Sequence, residues 1–311
     1  EAKELMKKGT SFWTTNRRLS CAAAAGLILS LAALPSSTGA ENAPGPDALA
    51  GYTERVPTGF INWGGGYAEI VVEAPYETVR YGSSHAKIRA IEEAEKMANE
   101  AFYRLLRGIN VSGDMRMAGN TELEEVLKKV SKSQRRMTKQ RTANVTFTAT
   151  FRVPLYGKKG LTGAIYKTAW EAPTGGSLDG TSGGGFTSVV LDASATTLQA
   201  ALFPHVFNEA GEVLYGPADL DQKALERGDP VTYVVPTEEQ GKKSGLSKTA
   251  RKDYGENPLV IQVDKIAGEF LADIVLRPDN EKMLRDAQVG DLLAQGRVFI
   301  IKAASVDMTD S

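Results

Sequence analysis

The sequence predicts an α+β protein with two domains, and three observations carry this prediction. An apolar stripe at helical spacing runs through residues 84–107, and an alternating stretch covers residues 143–155. Short apolar segments separated by turn residues fill residues 186–305. Helical spacing indicates an amphipathic helix, and alternation indicates a strand with one buried face. We therefore predict an N-terminal strand–long helix–helix–strand domain at 63–156 and a C-terminal sheet-rich α+β domain at 186–305.

The first 40 residues have the pattern of a secretory signal. A basic segment begins at Met6, the apolar run CAAAAGLILSLAAL follows, and small residues at Thr38 and Ala40 predict cleavage after Ala40. Residues 1–5 resemble sequence that lies upstream of a true start at Met6. The apolar run is shorter than the roughly 20 residues that span a bilayer, so we expect no transmembrane helix in the mature chain. An uncleaved membrane anchor is the alternative.

The single cysteine and the charge balance point to a compartment. Cys21 opens the apolar run, whereas a lipoprotein cysteine closes it, so we do not expect a lipid anchor. The mature chain would then have no disulfide and no thiolate metal site. The formal net charge of −1 gives no general reason to expect nucleic-acid binding. We predict a protein of the periplasm, or one secreted across the inner membrane, of a Gram-negative bacterium.

The N-terminal domain is predicted to follow a tether at residues 41–62, where prolines occur without periodicity. A strand at 67–73 comes after the glycine run 64–66. The long helix covers about 84–107, with Gly108 as its C-cap. Its apolar stripe consists of Ile88, Ile91, Ala94, Ala98, Ala101, Phe102, Leu105 and Ile109. A stripe of this kind has to cover a sheet or another helix.

A second helix and a second strand complete this domain. Thr121 and Glu124 fit a capping box, which predicts that the helix begins at Thr121. Its apolar face consists of Leu123, Val126, Leu127 and Val130. In the strand at 143–155, the side chains predicted to face the core are Val145, Phe147, Ala149, Phe151 and Val153.

The domain boundary is predicted in the glycine- and serine-rich linker at 157–185. Short strands are predicted beyond it at 187–192, 198–206, 212–215, 231–235, 259–263, 271–276 and 297–302. Helices are predicted near 218–227 and 279–287, the first between Pro217 and Gly228. The polar segment 237–257 is predicted to be mobile.

The sequence contains no motif that predicts catalysis or a cofactor. No GxxxxGK[ST] phosphate loop, no GxGxxG after a strand and no HExxH occurs. His85 and His205 are the two histidines, too few for a transition-metal centre, so we predict no catalytic residue, no cofactor and no metal. Two alternatives remain open. One is a calcium site built from Asp192, Asp219 and Asp221, and the other is an envelope hydrolase that uses Asp192 and His205.

The tract 128–141, KKVSKSQRRMTKQR, is basic throughout. We take five of its residues as candidates for contact with an acidic partner or with anionic lipid headgroups: Lys128, Lys129, Lys132, Arg135 and Arg136. The tract has no interleaved aromatic residues, so a nucleic-acid stacking surface is not indicated. The alternative is a solvated helix face that runs into a loop.

The stretch FPHVFNEAGEVLYG at 203–216 has the chemistry of a β-hairpin. Asn208 suits the first position of a type I turn, and Gly211 supplies the positive φ needed to enter the next strand. His205 is then most simply a hairpin residue between two aromatic residues. The residues that define this signature are Pro204, His205, Asn208, Gly211, Tyr215 and Gly216.

The segments FTSVVLDAS, LFPHVFNEAGEVLYG, NPLVIQV and LADIVL together resemble a group of bacterial envelope proteins. These are the twenty-kilodalton lipoprotein family and the FlgP- and FlgT-like flagellar accessory proteins. The helix HAKIRAIEEAEKMANEAFYRLLRGINV resembles the strand–helix unit of the same group. The resemblance implies a secreted, non-enzymatic protein of the outer membrane or of a flagellar basal-body ring. The chain departs from the group in lacking a lipobox and in having Ser194-Ala195 where the group has Arg-Gly.

These observations lead to one functional prediction with two alternatives. We predict a non-enzymatic structural or partner-binding protein of the periplasm or outer membrane, whose partners are envelope proteins and which can self-associate. This prediction rests on the signal pattern and on the exposed edges of the predicted hairpin, which could pair with other chains. The alternatives are the Asp192–His205 hydrolase and a module that binds anionic lipid or the cell wall.

Overall fold

The structure, a computed structural model, describes residues 49–57, 59–143, 145–166, 178, 185–236 and 254–303, with the backbone alone for 49–50 and 135–143. The protein is an α+β protein with two domains, as the sequence predicts. The predicted signal, the segment up to residue 253 that is predicted to be mobile and most of the predicted Gly/Ser-rich linker lie outside the described residues. No helix within the described part of the chain is long and apolar enough to cross a membrane.

The N-terminal domain is an antiparallel five-stranded sheet with two helices on one face. Its strands, in the order β2-β3-β4-β6-β5, are β2 (Thr53–Val56), β3 (Gly59–Asn62), β4 (Tyr67–Pro75), β6 (Thr146–Pro154) and β5 (Arg135–Ala143). The alternation in β4 and β6 buries every second side chain beneath the helices, as in an antiparallel sheet with one core face. Val145 is the exception to the predicted face, because it precedes β6 in a turn and is 72% exposed.

Helix α1 (Thr78–Arg107) packs its small side chains on the sheet. Ala86, Ala90, Ala94 and Ala98 are almost fully buried, which lets the helix approach the strands closely. The helix begins six residues before the predicted start, because an initial turn precedes a kink at Gly82, where φ is +70°. Glycine tolerates this left-handed conformation.

Helix α2 (Thr121–Ser131) begins where the sequence predicts, but the capping residue is different. The side-chain oxygen of Asn120 accepts hydrogen bonds from the N–H groups of Glu122 and Leu123, so Asn120, not Thr121, is the N-cap. The expected loop after α2 is also wrong in part, because β5 follows and pairs with β6 along the edge of the sheet.

The predicted tether at 41–62 is wrong for residues 49–62, which form strands. β1 (Leu49–Gly51) joins the sheet of the C-terminal domain, whereas β2 and β3 extend the sheet of the N-terminal domain. We call residues 49–63 the strap. These strands are three or four residues long, β1 and β3 contain glycine, and Pro57 lies in the turn between β2 and β3, so the sequence shows no clear strand pattern here.

The predicted linker at 157–185 is also wrong at its start. Helix α3 (Leu161–Tyr166) follows β6 directly and buries Leu161 and Ile165 in the core. Leu178 packs against the same core. Leu161, Ile165 and Leu178 are apolar residues within a largely polar segment, and their packing against the core explains why these parts of it are ordered.

The C-terminal domain contains two sheets. The first has the order β1-β10-β14-β7-β11 and is parallel except for β1; its other strands are β7 (Ser188–Asp192), β10 (Thr232–Pro236), β11 (Pro258–Gln262) and β14 (Val298–Ile301). β14 is buried along its whole length, which is typical of a strand inside a parallel sheet. The second sheet has the order β12-β13-β8-β9, built from β12 (Lys265–Ala267), β13 (Asp273–Leu276), β8 (Val206–Asn208) and β9 (Val213–Tyr215).

Three short helices connect these strands: α4 (Gln222–Arg227), α5 (Pro278–Asp286) and α6 (Gly290–Ala294). The predicted helix at 218–227 divides into a 3-10 turn at Pro217–Asp219 and α4, which ends at Gly228 with φ +76°. The predicted strand at 198–206 is regular only from Val206 onward. Residues before it instead contact the N-terminal domain.

Backbone hydrogen bonds join the two domains directly. The N–H groups of Leu202 and Phe203 donate to the carbonyl oxygens of Asn110 and Val111, and the N–H of Phe270 donates to the carbonyl of Gly113. The segment after α1 therefore runs like an additional strand beside the C-terminal domain. In agreement, all the described residues belong to one compact unit.

Candidate functional site

A groove between α1 and α2 contains two of the five basic residues singled out in the sequence. Its volume is about 460 Å³. The lining residues are Asn99, Glu100, Tyr103, Arg104, Lys128, Ser131 and Lys132. The two helices hold these side chains side by side because residues one turn apart on a helix share a face. The aromatic ring and the aliphatic stems of the basic side chains supply apolar surface, while their charged ends reach water.

The groove carries more positive than negative charge. Arg104, Lys128 and Lys132 face one acidic side chain, Glu100. Glu125 lies next to the groove, and its Oε1 is 2.7 Å from Nζ of Lys128. This hydrogen bond raises the pKa of Lys128 and lowers the pKa of Glu125. Both groups are therefore charged at neutral pH, and the groove attracts anionic groups.

A structural role for some of these cations is also evident. Lys128 and Lys129 lie in the last turn of α2, where positive charge interacts favourably with the helix dipole. The other two candidates, Arg135 and Arg136, lie on β5 opposite Arg152 and Phe151. The structure therefore divides the basic tract between a helix end and an edge strand instead of gathering it into one patch.

A second cleft, of about 340 Å³, lies at the kink of α1. Its cations Arg80 and Arg89 both stack on the ring of Tyr81, at 5.1 and 4.6 Å from its centroid. Three acidic side chains line the same cleft: Glu77, Glu92 and Glu93. Because its acidic side chains outnumber its cations, this cleft attracts anions less than the α1–α2 groove does.

The predicted hairpin is present in the second sheet. The N–H of Gly211 donates to the carbonyl of Asn208, and φ of Gly211 is +84°. The side chain of Asn208 accepts from the N–H of Glu212 and thereby closes the turn. Tyr215 is fully buried, with its hydroxyl donating to the carbonyl of Pro230. Pro204 and Gly216 are buried beside it, and the ring of His205 occupies the space next to Gly216.

His205 is more deeply buried than the sequence predicts, where it is simply a hairpin residue between two aromatic residues. Its side chain is 4% exposed, and Nδ1 lies 3.6 Å from Oδ1 of Asp273 on β13. The same oxygen accepts the backbone N–H of His205 at 2.9 Å. Nε2 is buried and has no hydrogen-bond partner among the described residues. The ring of Phe207 lies 5.7 Å away.

Asp192 and His205 have separate partners. Oδ1 of Asp192 accepts from the N–H and hydroxyl of Ser194, and Oδ2 accepts from the amide of Gln262. Asp192 therefore closes the turn after β7 and ties β7 to β11, a common role for a carboxylate at a strand end. No hydrogen bond or ion pair joins it to His205 in the part of the chain that the structure describes.

No group of three or more His, Cys, Asp or Glu side chains within the described residues could hold a metal ion. Among the three aspartates considered for calcium, Asp221 caps α4 by accepting the N–H of Ala224. Asp219 accepts the N–H of Gly216, and burial raises the pKa of its carboxyl, an effect that this hydrogen bond and the nearby His205 oppose.

A buried polar cluster that the sequence did not indicate lies under the strap. Lys302, 6% exposed, follows β14, and its ammonium lies 5.0 Å from the centroid of the Tyr52 ring. It also donates to the carbonyl of Leu198. Burial lowers the pKa of Lys302 to about 8, against the attraction of Glu54. Trp63 donates its indole N–H to Glu54 at 3.0 Å.

A comparison with models of protein families gives a match. Residues 188–304 are similar to the family model described as Treponema pallidum Tp0624, second domain. This stretch covers nearly the same residues as the predicted C-terminal domain and includes β7 through β14. No curated protein matches the chain.

Proposed function

We propose that the chain is a non-enzymatic envelope protein that binds an acidic segment of a partner protein in the α1–α2 groove. The observation that carries the proposal is the combination in one concave surface of three cationic side chains with the ring of Tyr103. A cation-lined apolar groove between two helices suits an amphipathic segment with acidic side chains along its edges.

The envelope location rests on the sequence. A basic segment, an apolar run and small residues precede the strap, in the order of a secretory signal. The resemblance to the twenty-kilodalton lipoprotein family and to the FlgP- and FlgT-like proteins points the same way. A flagellar basal-body ring is one assembly in which such a protein would serve.

The shape of the surface favours a protein over a lipid bilayer. A membrane-binding helix inserts its apolar face into the bilayer and carries its cations on the opposite, polar face. In the groove the exposed side chains are instead Lys128 and Lys132, while Ser131 between them is buried. Binding of anionic lipid is therefore an outcome to be tested against the proposal.

In the experiment, a photo-reactive amino acid replaces Glu100, inside the groove. The full chain is produced in its native cells, where its envelope partners are present. We expect cross-links to an acidic stretch of a distinct protein, identified by mass spectrometry of the linked peptides. Lys128→Glu combined with Lys132→Glu should abolish them. Lys223→Glu combined with Lys265→Glu, at exposed lysines of the other domain, is the matched control and should leave them unchanged.

Two results would overturn the proposal. One is cross-linking that the groove variant leaves intact. The other is co-sedimentation with vesicles containing phosphatidylglycerol, but not with phosphatidylcholine vesicles, that is lost in the groove variant in the absence of protein cross-links. That result would assign the groove to lipid headgroups instead.

A further inference from the structure

The strap contacts the edges of both large sheets. β1 pairs antiparallel with β10, so that Gly51 lies opposite Val234 and Ala50 opposite Val235. β3 pairs with β4 in the other domain. β1 and β2 are edge strands with one paired side each, so release of the strap would leave the remaining strands of both sheets paired.

The strap packs the side chains of Tyr52, Ile61 and Trp63 into the hydrophobic core and adds polar contacts to them. The ammonium of Lys302 lies over the ring of Tyr52 in a cation–π contact. The backbone N–H of Tyr52 donates a hydrogen bond to the carbonyl oxygen of Tyr233 at 3.0 Å. The ring of Trp63 packs edge-on against Tyr233, with centroids 5.7 Å apart. All five side chains are less than 9% exposed. The contacts are therefore specific to this strap sequence.

A glycine joint connects the strap to the body. Gly64, Gly65 and Gly66 separate Trp63 from β4, and φ of Gly66 is +71°. A methyl group on Gly64 would collide with Gly51, so the chain crosses itself closely at this point. Three consecutive glycines give the joint backbone freedom that other residues lack.

We propose that the strap of one copy can dock on the body of a second copy, so that the protein self-associates by exchange of residues 49–63. The occupant is a second copy because each strap contact, including the attraction between Glu54 and Lys302, forms equally well between chains. The glycine joint lets the strap extend away from its own body.

The test uses cysteine pairs, in a full chain whose only native thiol is removed by Cys21→Ser. One tagged copy carries Ala50→Cys and a second, differently tagged copy carries Val235→Cys. Residues directly opposite each other on paired strands are close enough for a disulfide. The copies are mixed, incubated and oxidised. We expect a covalent heterodimer whose yield rises with protein concentration.

The control pair is Asp192→Cys in one copy and Ile301→Cys in the other, because these residues are also opposite each other but lie on β7 and β14, both inside the first sheet. This mixture should give no heterodimer. Equal yields from both mixtures would indicate random collision and would overturn the proposal. So would an Ala50→Cys/Val235→Cys double variant that forms its bond only within one chain while the mixture stays monomeric. Neither result depends on the α1–α2 groove, so the two proposals fail separately.

Discussion

The α1–α2 groove and the interior of the C-terminal domain use charge in opposite ways. In the groove, Lys128 and Lys132 are exposed, and water screens their interactions. In the interior, Lys302 and Asp273 are almost fully buried, and each depends on one or two specific partners. The groove lysines are therefore available for binding, whereas the buried side chains of Lys302 and Asp273 contribute to stability and to the position of the strands. Four measurements test this difference.

Replacing Asp273 should have the largest effect. Asp273→Ala removes the acceptor of the His205 N–H and leaves the imidazole without its neighbour, so we expect a loss of about 3 kcal/mol in the free energy of unfolding. Asp273→Asn keeps an oxygen in place and should cost less, about 1–2 kcal/mol. Urea denaturation measures both. Equal losses would show that packing, and not the hydrogen bond, is what Asp273 supplies.

Gly113→Ala tests the same buried carboxylate from the other side. A methyl group there would collide with the carboxylate of Asp273, so we expect a loss of about 2 kcal/mol. Gly108→Ala is the control in the same segment, because its φ of −76° suits alanine, and we expect a change below about 1 kcal/mol. Both values come from thermal or urea unfolding. A loss at Gly108 as large as that at Gly113 would contradict this account.

The ammonium of Lys302 should make stability depend on pH. Its pKa is about 8 in the folded state and 10.5 in a free side chain, so the folded state binds fewer protons between these values. Stability should therefore rise by about 2 kcal/mol between pH 7 and pH 9.5. The rise should be absent in Lys302→Met. The series stops at pH 9.5 because tyrosines such as Tyr52, whose pKa is raised to about 12, act in the opposite direction above pH 10. A rise that persists in the methionine variant would have another source.

The groove cations should have the smallest effect on stability. Lys128→Glu with Lys132→Glu removes an exposed ion pair and adds negative charge at the end of α2, so we expect only a small loss of stability. Thermal unfolding with increasing salt checks this, since screening should reduce the loss further. A larger, salt-independent loss would place these lysines among the structural charges and would remove the contrast with Lys302.

The sequence predicts the presence of α1 and β6 because each has one buried face and therefore a clear period, although Ile88 and Val145, which are predicted on those faces, are exposed. The strands of the first C-terminal sheet could be predicted as apolar segments, but their pairing could not. β7 lies between β11 and β14, and both partners come from distant parts of the chain. Periodicity reports the environment of a strand, not the identity of its neighbours.

The candidate sites show the same limit. A run of charges identified Lys128 and Lys132, but Arg104 and Tyr103 joined them only through the packing of two helices. Lys302 and Asp273 are single charges inside apolar segments, and no spacing rule distinguishes them. The strap was missed because its strands are three or four residues long, two of them contain glycine, and Pro57 lies in the turn between β2 and β3.

The direction of β1 has a practical consequence. It runs against β10, which places Leu49 beside Pro236, while β14 runs with β10 and brings Ala303 to the same end of the sheet. The described chain therefore enters and leaves within about 10 Å, the width of two strand spacings. A short peptide loop could join these points in a circular permutant. Purification tags or surface immobilisation at either point would display the molecule in the same orientation.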